Sequence, residues 1–169
     1  MGVVDLQDLA LRVGERLSQR GLYLAAAESC TGGWICQEIT SVAGSSAWFD
    51  RGFITYTNTA KQQMLGVKIT TLERHGAVSG EVVLEMARGA LAASQAQVAV
   101  AVSGVAGPGG GSEAKPVGTV WIAWARRETS GQEIFAEAQG FAYTGDRQAV
   151  RAQAVADSLT GILTRLANE

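Results

Sequence analysis

The chain has 169 residues, of which 47% are hydrophobic and 18% charged, a composition typical of a globular protein with a sizeable core. The formal net charge is −2, the pI is about 5.5, and no long run of Lys and Arg occurs, which argues against a nucleic-acid partner. No stretch has the length and apolar character of a membrane span, and the first residues lack the pattern of a signal peptide. We therefore expect no membrane partner.

The two cysteines, Cys30 and Cys36, lie six residues apart near one predicted helix start. They would face different directions, so we expect no disulfide between them, and free thiols suit a reducing cytoplasm. No set of Cys and His residues has the spacing of metal ligands, and the chain has one His. We expect neither a metal nor another cofactor.

Hydrophobic periodicity predicts an alternation of helices and strands. Helices are predicted over residues 5–20, 31–41, 59–65, 81–94 and 146–167, and strands over 22–28, 51–57, 97–103, 117–125 and 132–142. Asn58 is the expected cap of the third helix, and residues 68–80 are expected to be irregular. The alternation ends in two adjacent strands, which predicts one three-layer α/β/α domain over residues 1–169. Its five-stranded sheet would be mostly parallel with one antiparallel strand.

Three polar residues lie at the carboxyl ends of predicted strands: Ser29, Tyr56 and Ser103. In sheets of this kind, ligands bind beyond the carboxyl ends of the parallel strands. We therefore expect these side chains to meet at one edge of the sheet and to mark a functional site there.

The stretch from Glu28 to Gly33, with the sequence ESCTGG, lies between a predicted strand and a predicted helix. Ser29 is a candidate nucleophile, and the amides of Thr31, Gly32 and Gly33 are candidate donors to an oxyanion, because amides at a helix start lack partners. The two glycines would let another group approach the backbone. The alternative is that a hydroxyl in this stretch only caps the helix.

A serine nucleophile needs a base, and the one histidine, His75, lies in a predicted turn without a neighbouring Asp. Lys61 is a better candidate, provided that burial or positive charge lowers its pKa. The alternative for Lys61 is a solvent-facing side chain on a helix. Tyr56 could relay the proton, bind substrate or simply pack in its strand.

A glycine-rich run, GVAGPGGG at 104–111, follows Ser103. No Gly-Lys-Ser/Thr sequence closes the run, so it is not a Walker motif. Its amides could form an anion-binding concavity, with Lys115 nearby, and a phosphate site is one interpretation. A mobile surface loop is the other.

Four ordered blocks together resemble the CinA C-terminal domain family, the nicotinamide-nucleotide amidases. The blocks are AESCTGG at 27–33; GFITYTN at 52–58 with Lys61 and LGV at 65–67; GAVS at 76–79; and SGVAGPGG at 103–110 with KPVGTV at 115–120. The resemblance covers nearly the whole chain. Two departures, Ala43 where the family often has Pro and Ser103 where it often has Thr, remove no group that the chemistry needs.

The resemblance implies an anticodon-binding-like α/β/α fold and a metal-independent amidase. The enzyme would convert nicotinamide mononucleotide into nicotinate mononucleotide and ammonia in pyridine nucleotide recycling. Apart from the resemblance, we expect a cytoplasmic protein that forms a homo-oligomer. Matched onto this chain, the catalytic residues are Ser29, Lys61 and Tyr56. The substrate-binding residues are Thr31, Gly32, Gly33, Asn58, Ser103, Gly104, Ala106, Gly107, Gly109, Gly110 and Lys115.

Two other functions stay open at this point. A non-catalytic nucleotide-binding or regulatory module could share the fold, although the presence of Ser29, Tyr56 and Lys61 favours the enzyme. A role in DNA uptake or repair is suggested only by the competence-linked family name, and the acidic pI counts against it.

Overall fold

The computed structural model describes residues 4–128 and 133–167. The elements in chain order are α1 (Leu6–Arg20), β1 (Leu24–Glu28), α2 (Trp34–Ser41), a short 3₁₀ helix (Ser45–Ala47), β2 (Phe49–Ile54), α3 (Asn58–Leu65), α4 (Ile69–His75), α5 (Gly80–Ala92), β3 (Val98–Gly104), β4 (Thr119–Arg127), β5 (Ile134–Ala142) and α6 (Arg147–Ala167). Within these residues, no helix combines the length and the apolar character needed to cross a membrane.

The five strands form one sheet in the order β2-β1-β3-β4-β5. Strand β1 pairs in parallel with both β2 and β3, whereas β4 is antiparallel to β3 and to β5. One strand therefore runs opposite to the other four, as the sequence predicted. Because β1, β2 and β3 are parallel, the residues that follow them emerge at the same edge.

Helices cover both faces of the sheet, which confirms the three-layer α/β/α arrangement. On one face α1, α2 and α6 pack against Leu24, Val100 and Val102. On the other face α5 packs against small residues of β1 and β3, including Ala25 and Ala99. Strand β1 is buried along its whole length, as expected for a central strand covered on both faces.

Two short segments differ from the sequence-based expectation. Residues 68–80 are not irregular throughout, because α4 forms within them: Glu85 on α5 accepts hydrogen bonds from the Lys68 amide (2.8 Å) and the Thr71 hydroxyl (2.6 Å). This long-range contact supports a helix whose own residues have modest helix propensity. The predicted cap of α3 was also wrong by one residue, since the Thr57 hydroxyl accepts from the Ala60 amide at 3.1 Å and Asn58 is already helical.

Strand β2 begins and ends earlier than predicted, at Phe49 and Ile54. Its pairing with β1 stops where Glu28 lies opposite Ile54, so the strand ends with its neighbour. Tyr56 consequently lies beyond the strand, in the short connection to α3. That connection is tight, and it brings α3 directly over the carboxyl edge of the sheet.

The packing of α3 against α5 depends on Gly89. A Cβ atom at this position would lie 2.0 Å from the backbone oxygen of Leu65, the last residue of α3. Only glycine lets the two helix backbones approach so closely. This contact fixes the height of α3, and hence of Lys61, above the sheet.

Candidate active site

Ser29 follows β1 directly and opens the tight turn into α2. Its amide donates to the Val102 carbonyl on β3 at 3.1 Å, and its carbonyl accepts from the Gly32 amide at 3.0 Å. Gly32 and Gly33 have φ values of 58° and 98°, in the left-handed region that favours glycine. The two glycines therefore serve the turn that presents Ser29, and neither lines the pocket in front of it.

Lys61, on α3, reaches across to Ser29. Its Nζ lies 2.9 Å from Ser29 Oγ, 2.8 Å from the Thr55 carbonyl oxygen and 3.3 Å from the Tyr56 carbonyl oxygen. The residue is only 1% exposed. Lys61 therefore does not occupy a solvent-facing side of its helix, and the structure brings the predicted nucleophile and the predicted base together.

Burial lowers the pKa of Lys61 from 10.5 to about 8, because desolvation disfavours the charged amine. A neutral amine has two N–H donors and one lone pair. With the two donors directed to the Thr55 and Tyr56 carbonyls, the lone pair is left for the Ser29 hydroxyl. The arrangement suits removal of a proton from Ser29 near neutral pH.

Cys30 lies beside Ser29 but is chemically different. Burial raises the pKa of the Cys30 thiol to about 11, so the thiol stays protonated near neutral pH. A protonated thiol is a poor nucleophile. Ser29 is therefore better prepared for attack than its neighbour.

The N-terminus of α2 is filled by a side chain of the protein itself. The buried carboxylate of Glu28 accepts from the Ile35 and Cys36 amides at 2.9 and 3.0 Å and from the Thr31 hydroxyl at 2.6 Å. Thr31 is fully buried, so its hydroxyl is not available to a substrate. Of the three amides expected as oxyanion donors at Thr31–Gly33, that of Gly32 is bonded to the Ser29 carbonyl, and none of the three residues lines the pocket in front of Ser29.

A pocket of about 320 Å³ opens in front of Ser29 and Lys61. It brings together most of the residues singled out in the sequence: Ser29, Tyr56, Lys61, Ser103, Gly104, Ala106, Gly107, Gly109 and Gly110. Val105 and Gly111, of the glycine-rich run, also line it, together with residues that sequence reasoning had not placed there: Cys30, Ala77, Val78 and Arg147.

Asn58 and Lys115 do not line this pocket. Asn58 is exposed in the first turn of α3. The Lys115 amine donates to the His75 carbonyl and lines a neighbouring cleft. His75 lies in that same cleft, 3.6 Å from Glu81, so it is not the base for Ser29.

The cation at the pocket is Arg147, in the first turn of α6. Its guanidinium donates to the Gly107 carbonyl at 2.7 Å and to the Tyr56 hydroxyl at 3.3 Å. Tyr56 is 60% exposed, and it meets Lys61 through its backbone carbonyl. Sequence reasoning missed Arg147 because no local motif marks an arginine that folding brings from the last helix.

The glycine-rich loop supplies backbone donors to the same pocket. Among the residues that the structure describes, the amides of Gly107, Gly109 and Gly110 donate no hydrogen bond. The Ser103 hydroxyl, at the end of β3, likewise has no partner there, although the residue is only 2% exposed. These groups remain available to a ligand, and unpaired loop amides suit an anion.

In residues 4–128 and 133–167, no cluster of three or more His, Cys, Asp or Glu side chains could hold a metal ion. The groups that the pocket offers for chemistry include hydroxyls, a protonated thiol, an amine of lowered pKa, backbone amides and a guanidinium. This set is suited to acyl transfer through a serine.

Comparison with known proteins gives relatives along nearly the whole chain. The model of the CinA C-terminal domain matches residues 6–166. The nicotinamide-nucleotide amidohydrolase PncC of Escherichia coli (strain K12) is 54% identical, with 92% of this chain and 91% of that protein covered. The protein of the same name from Pseudomonas putida is also 54% identical, with 92% and 93% covered.

Solved structures agree with these relatives. A CinA superfamily protein from Klebsiella pneumoniae has a TM-score of 0.91 and 40% identity, with 98% of this chain and 100% of that chain covered. The competence/damage inducible protein of Agrobacterium tumefaciens has a TM-score of 0.88 and 44% identity, with 99% of both chains covered. The resemblance read from the four sequence blocks is confirmed, and the chain belongs to the CinA C-terminal domain family.

Proposed function

We propose that this protein hydrolyses the carboxamide of nicotinamide mononucleotide to give nicotinate mononucleotide and ammonia, a step of pyridine nucleotide recycling. The observation that carries the proposal is the 2.9 Å contact between Lys61 Nζ and Ser29 Oγ, inside a pocket at the carboxyl edge of the sheet. Relatives that are 54% identical are named for this activity.

The chemistry follows from the contacts of Ser29 and Lys61. Neutral Lys61 takes the hydroxyl proton as Ser29 Oγ bonds to the carboxamide carbon, and the carbonyl π electrons move onto oxygen. The protonated amine then gives its proton to the leaving nitrogen, so ammonia departs and an ester to Ser29 remains. Water, deprotonated by Lys61, attacks that ester, and the Lys61 ammonium returns the proton to Ser29 Oγ as the acyl–oxygen bond breaks. The product leaves as the carboxylic acid, which ionises to the carboxylate by giving its proton to ammonia or water.

The developing oxyanion needs a donor close to the nucleophile. The Cys30 amide is the best supported donor, because Cys30 lines the pocket and its amide donates to no other residue of the described chain. It takes the place of the donors expected at Thr31–Gly33. The Ser103 hydroxyl, at the end of the neighbouring strand, is available to hold the amide or pyridine end of the substrate.

The anionic end of the nucleotide would bind at the far side of the pocket. There the amides of the glycine-rich loop and the Arg147 guanidinium provide donors and positive charge. Tyr56, whose hydroxyl contacts Arg147, would help to bind this end, not relay a proton. Lys115 would have at most an indirect part, since its amine is directed to His75.

We also infer that the protein works in the cytoplasm as a homo-oligomer. Cys30 and Cys36 are both free thiols, as expected in a reducing compartment. Strand β5 is an edge strand of nine residues that contains neither Lys nor Pro, the residues that commonly protect such edges from pairing. Phe135 on β5 is 60% exposed, which further supports pairing with a second copy through this edge.

We expect Phe135→Lys to shift the oligomer towards monomer, because it places a charge on the edge strand. Sedimentation velocity of the variant and wild type at matched concentrations is the measurement. Leu11→Lys is the control, since Leu11 is an exposed apolar residue on α1 that lies outside the sheet. An unchanged sedimentation coefficient for both variants would reject the β5 edge as the interface.

Ser29→Ala should lose at least about 10³-fold in kcat while remaining folded, because it removes the attacking oxygen. Cys30→Ala should retain most of the turnover, since only its backbone amide takes part. Ammonia release from nicotinamide mononucleotide is the measurement. If the two variants gave the reverse pattern, Cys30 would be the nucleophile. If wild type bound the nucleotide without releasing ammonia, the chain would be the non-catalytic module instead.

Lys61→Met should abolish the chemical step, because Lys61 is the one base that contacts Ser29 among residues 4–128 and 133–167. The kcat/KM of wild type should rise about tenfold in all between pH 7 and pH 9, with half of its plateau value near pH 8, since the neutral form of a group with a pKa of about 8 is the active one. The assay is best run from pH 7 to pH 10, where the substrate phosphate no longer titrates. A near-normal kcat for Lys61→Met would remove Lys61 from the catalytic role.

Arg147→Gln should raise KM for nicotinamide mononucleotide by about tenfold or more and change kcat less, because the lost contact is with the phosphate end. Lys115→Gln, which removes a nearby cation outside the pocket, is the matched control and should have a smaller effect. Free nicotinamide should be a far poorer substrate than its mononucleotide for wild type. Equal kcat/KM for the two substrates would refute a phosphate site in this pocket.

A further inference from the structure

The last helix contacts the turn that carries Ser29 through one side chain, Arg151. Its Nε donates to the Cys30 carbonyl and its Nη2 to the Thr31 carbonyl, both at 3.0 Å. The guanidinium carbon lies 5.4 Å from the ring centroid of Trp34, at the start of α2. One planar group therefore spans two successive carbonyls while resting on an aromatic ring, a geometry that suits arginine.

Holding a carbonyl also orients the amide of the next residue. In a trans peptide the C=O and N–H bonds of one plane point in opposite directions. The Arg151 contact to the Thr31 carbonyl, together with the Trp34 amide that donates to the same oxygen at 3.1 Å, therefore sets the direction of the Gly32 amide, which donates to the Ser29 carbonyl at 3.0 Å. The Ser29 carbonyl in turn sets the direction of the Cys30 amide. Two linked peptide planes thus connect Arg151 to the amide beside the nucleophile.

We propose that Arg151 is a positioning residue for the amidase reaction: it aims the Cys30 amide at the oxyanion through these peptide planes. The inference rests on the proposed function, because it assigns a task to the oxyanion donor of that reaction. Arg151 is absent from the residues that line the pocket, so it acts through the backbone and not on the substrate.

The same side of the turn is secured by Glu28, whose carboxylate binds the first amides of α2. Glu28 fixes where the helix starts but bonds to neither the Ser29 nor the Cys30 peptide. The Cys30 carbonyl is held by Arg151, and the Thr31 carbonyl is held by Arg151 together with the Trp34 amide, which donates to it at 3.1 Å. Loss of Arg151 would leave α2 in place and loosen the peptide planes between Ser29 and Gly32.

A matched control lies on the same helix. Arg165 stacks over Trp124, with its guanidinium carbon 3.7 Å from the ring centroid, and donates to the Gly161 carbonyl at 3.0 Å. Like Arg151, it is an arginine of α6 that joins a tryptophan to a backbone carbonyl. It lies away from the Ser29 turn, so Arg165→Ala reports the general effect of losing such a contact.

The test compares wild type, Arg151→Ala, Arg151→Lys and Arg165→Ala in kcat, KM, pH profile and Tm. Arg151→Ala should lower kcat by about 10- to 100-fold, below the loss seen when an oxyanion donor is deleted outright, with KM changed less than about threefold. The pKa in its kcat/KM profile should stay near that of wild type, because Lys61 is untouched. Arg165→Ala should lower Tm without lowering kcat.

Two further arms separate geometry from charge. The kcat of Arg151→Lys should be less than about threefold higher than that of Arg151→Ala. The single ammonium of lysine cannot donate to the Cys30 and Thr31 carbonyls together, as the planar guanidinium does. Added guanidinium ion at millimolar concentration should partly restore Arg151→Ala and leave Arg165→Ala unchanged. Full activity in Arg151→Lys, equal kcat in the two alanine variants, or an effect confined to KM would each overturn the proposal.

A readout without substrate keeps this inference separate from the proposed function. The NMR amide signals of Cys30 and Gly32 should shift and exchange faster with solvent in Arg151→Ala than in Arg165→Ala. If wild type released no ammonia from nicotinamide mononucleotide, the proposed function would fail. The NMR comparison would still test whether Arg151 orients the peptide planes between Ser29 and Gly32. If the amide shifts and exchange rates of Cys30 and Gly32 were unchanged in a folded Arg151 variant, the positioning role of Arg151 would be rejected. Should the alanine variant not fold, Arg151→Lys serves for the same comparison.

Discussion

The burial of Lys61 is the constraint on which the site depends. An amine that is 1% exposed must find acceptors or lose its charge, and this one meets the Ser29 hydroxyl and two backbone carbonyls. The carbonyls belong to the connection that links β2 to α3. The end of β2, the start of α3 and the turn after β1 must therefore hold fixed positions, and the parallel pairing of β1 with β2 gives them these positions.

Much of this arrangement could be predicted from the sequence because it follows from local pattern. Apolar runs and helical periodicity identified the strands and most helices, and their alternation placed Ser29 and Ser103 at one edge. The pairing of Ser29 with Lys61 was within reach because Lys61 falls one turn into a helix that follows a neighbouring strand. The order of the elements along the chain therefore indicated this pairing, and in the structure Lys61 and Ser29 are in contact.

What escaped prediction depends on contacts between distant parts of the chain. Arg147 and Arg151 lie on a helix that its apolar stripe predicts. No local pattern indicates that the Arg147 guanidinium meets the glycine-rich loop or that the Arg151 guanidinium meets the β1–α2 turn. Lys115 looked suitable as the pocket cation because it is close in sequence, yet its amine is held by the His75 carbonyl. Thr31 looked like a substrate contact because it is close in sequence to Ser29. Its hydroxyl instead donates to the buried Glu28 carboxylate.

The role of Glu28 explains how the pocket keeps its two ends distinct. A helix start attracts anions, so an open N-terminus at α2 would compete for the substrate phosphate right beside Ser29. The Glu28 carboxylate fills that position and removes the competition. Among the residues that line the pocket, positive character is left at Arg147 and at the amides of the glycine-rich loop. Under the proposed function, a substrate with an amide at one end and a phosphate at the other would bind these groups through its phosphate and present its amide to Ser29.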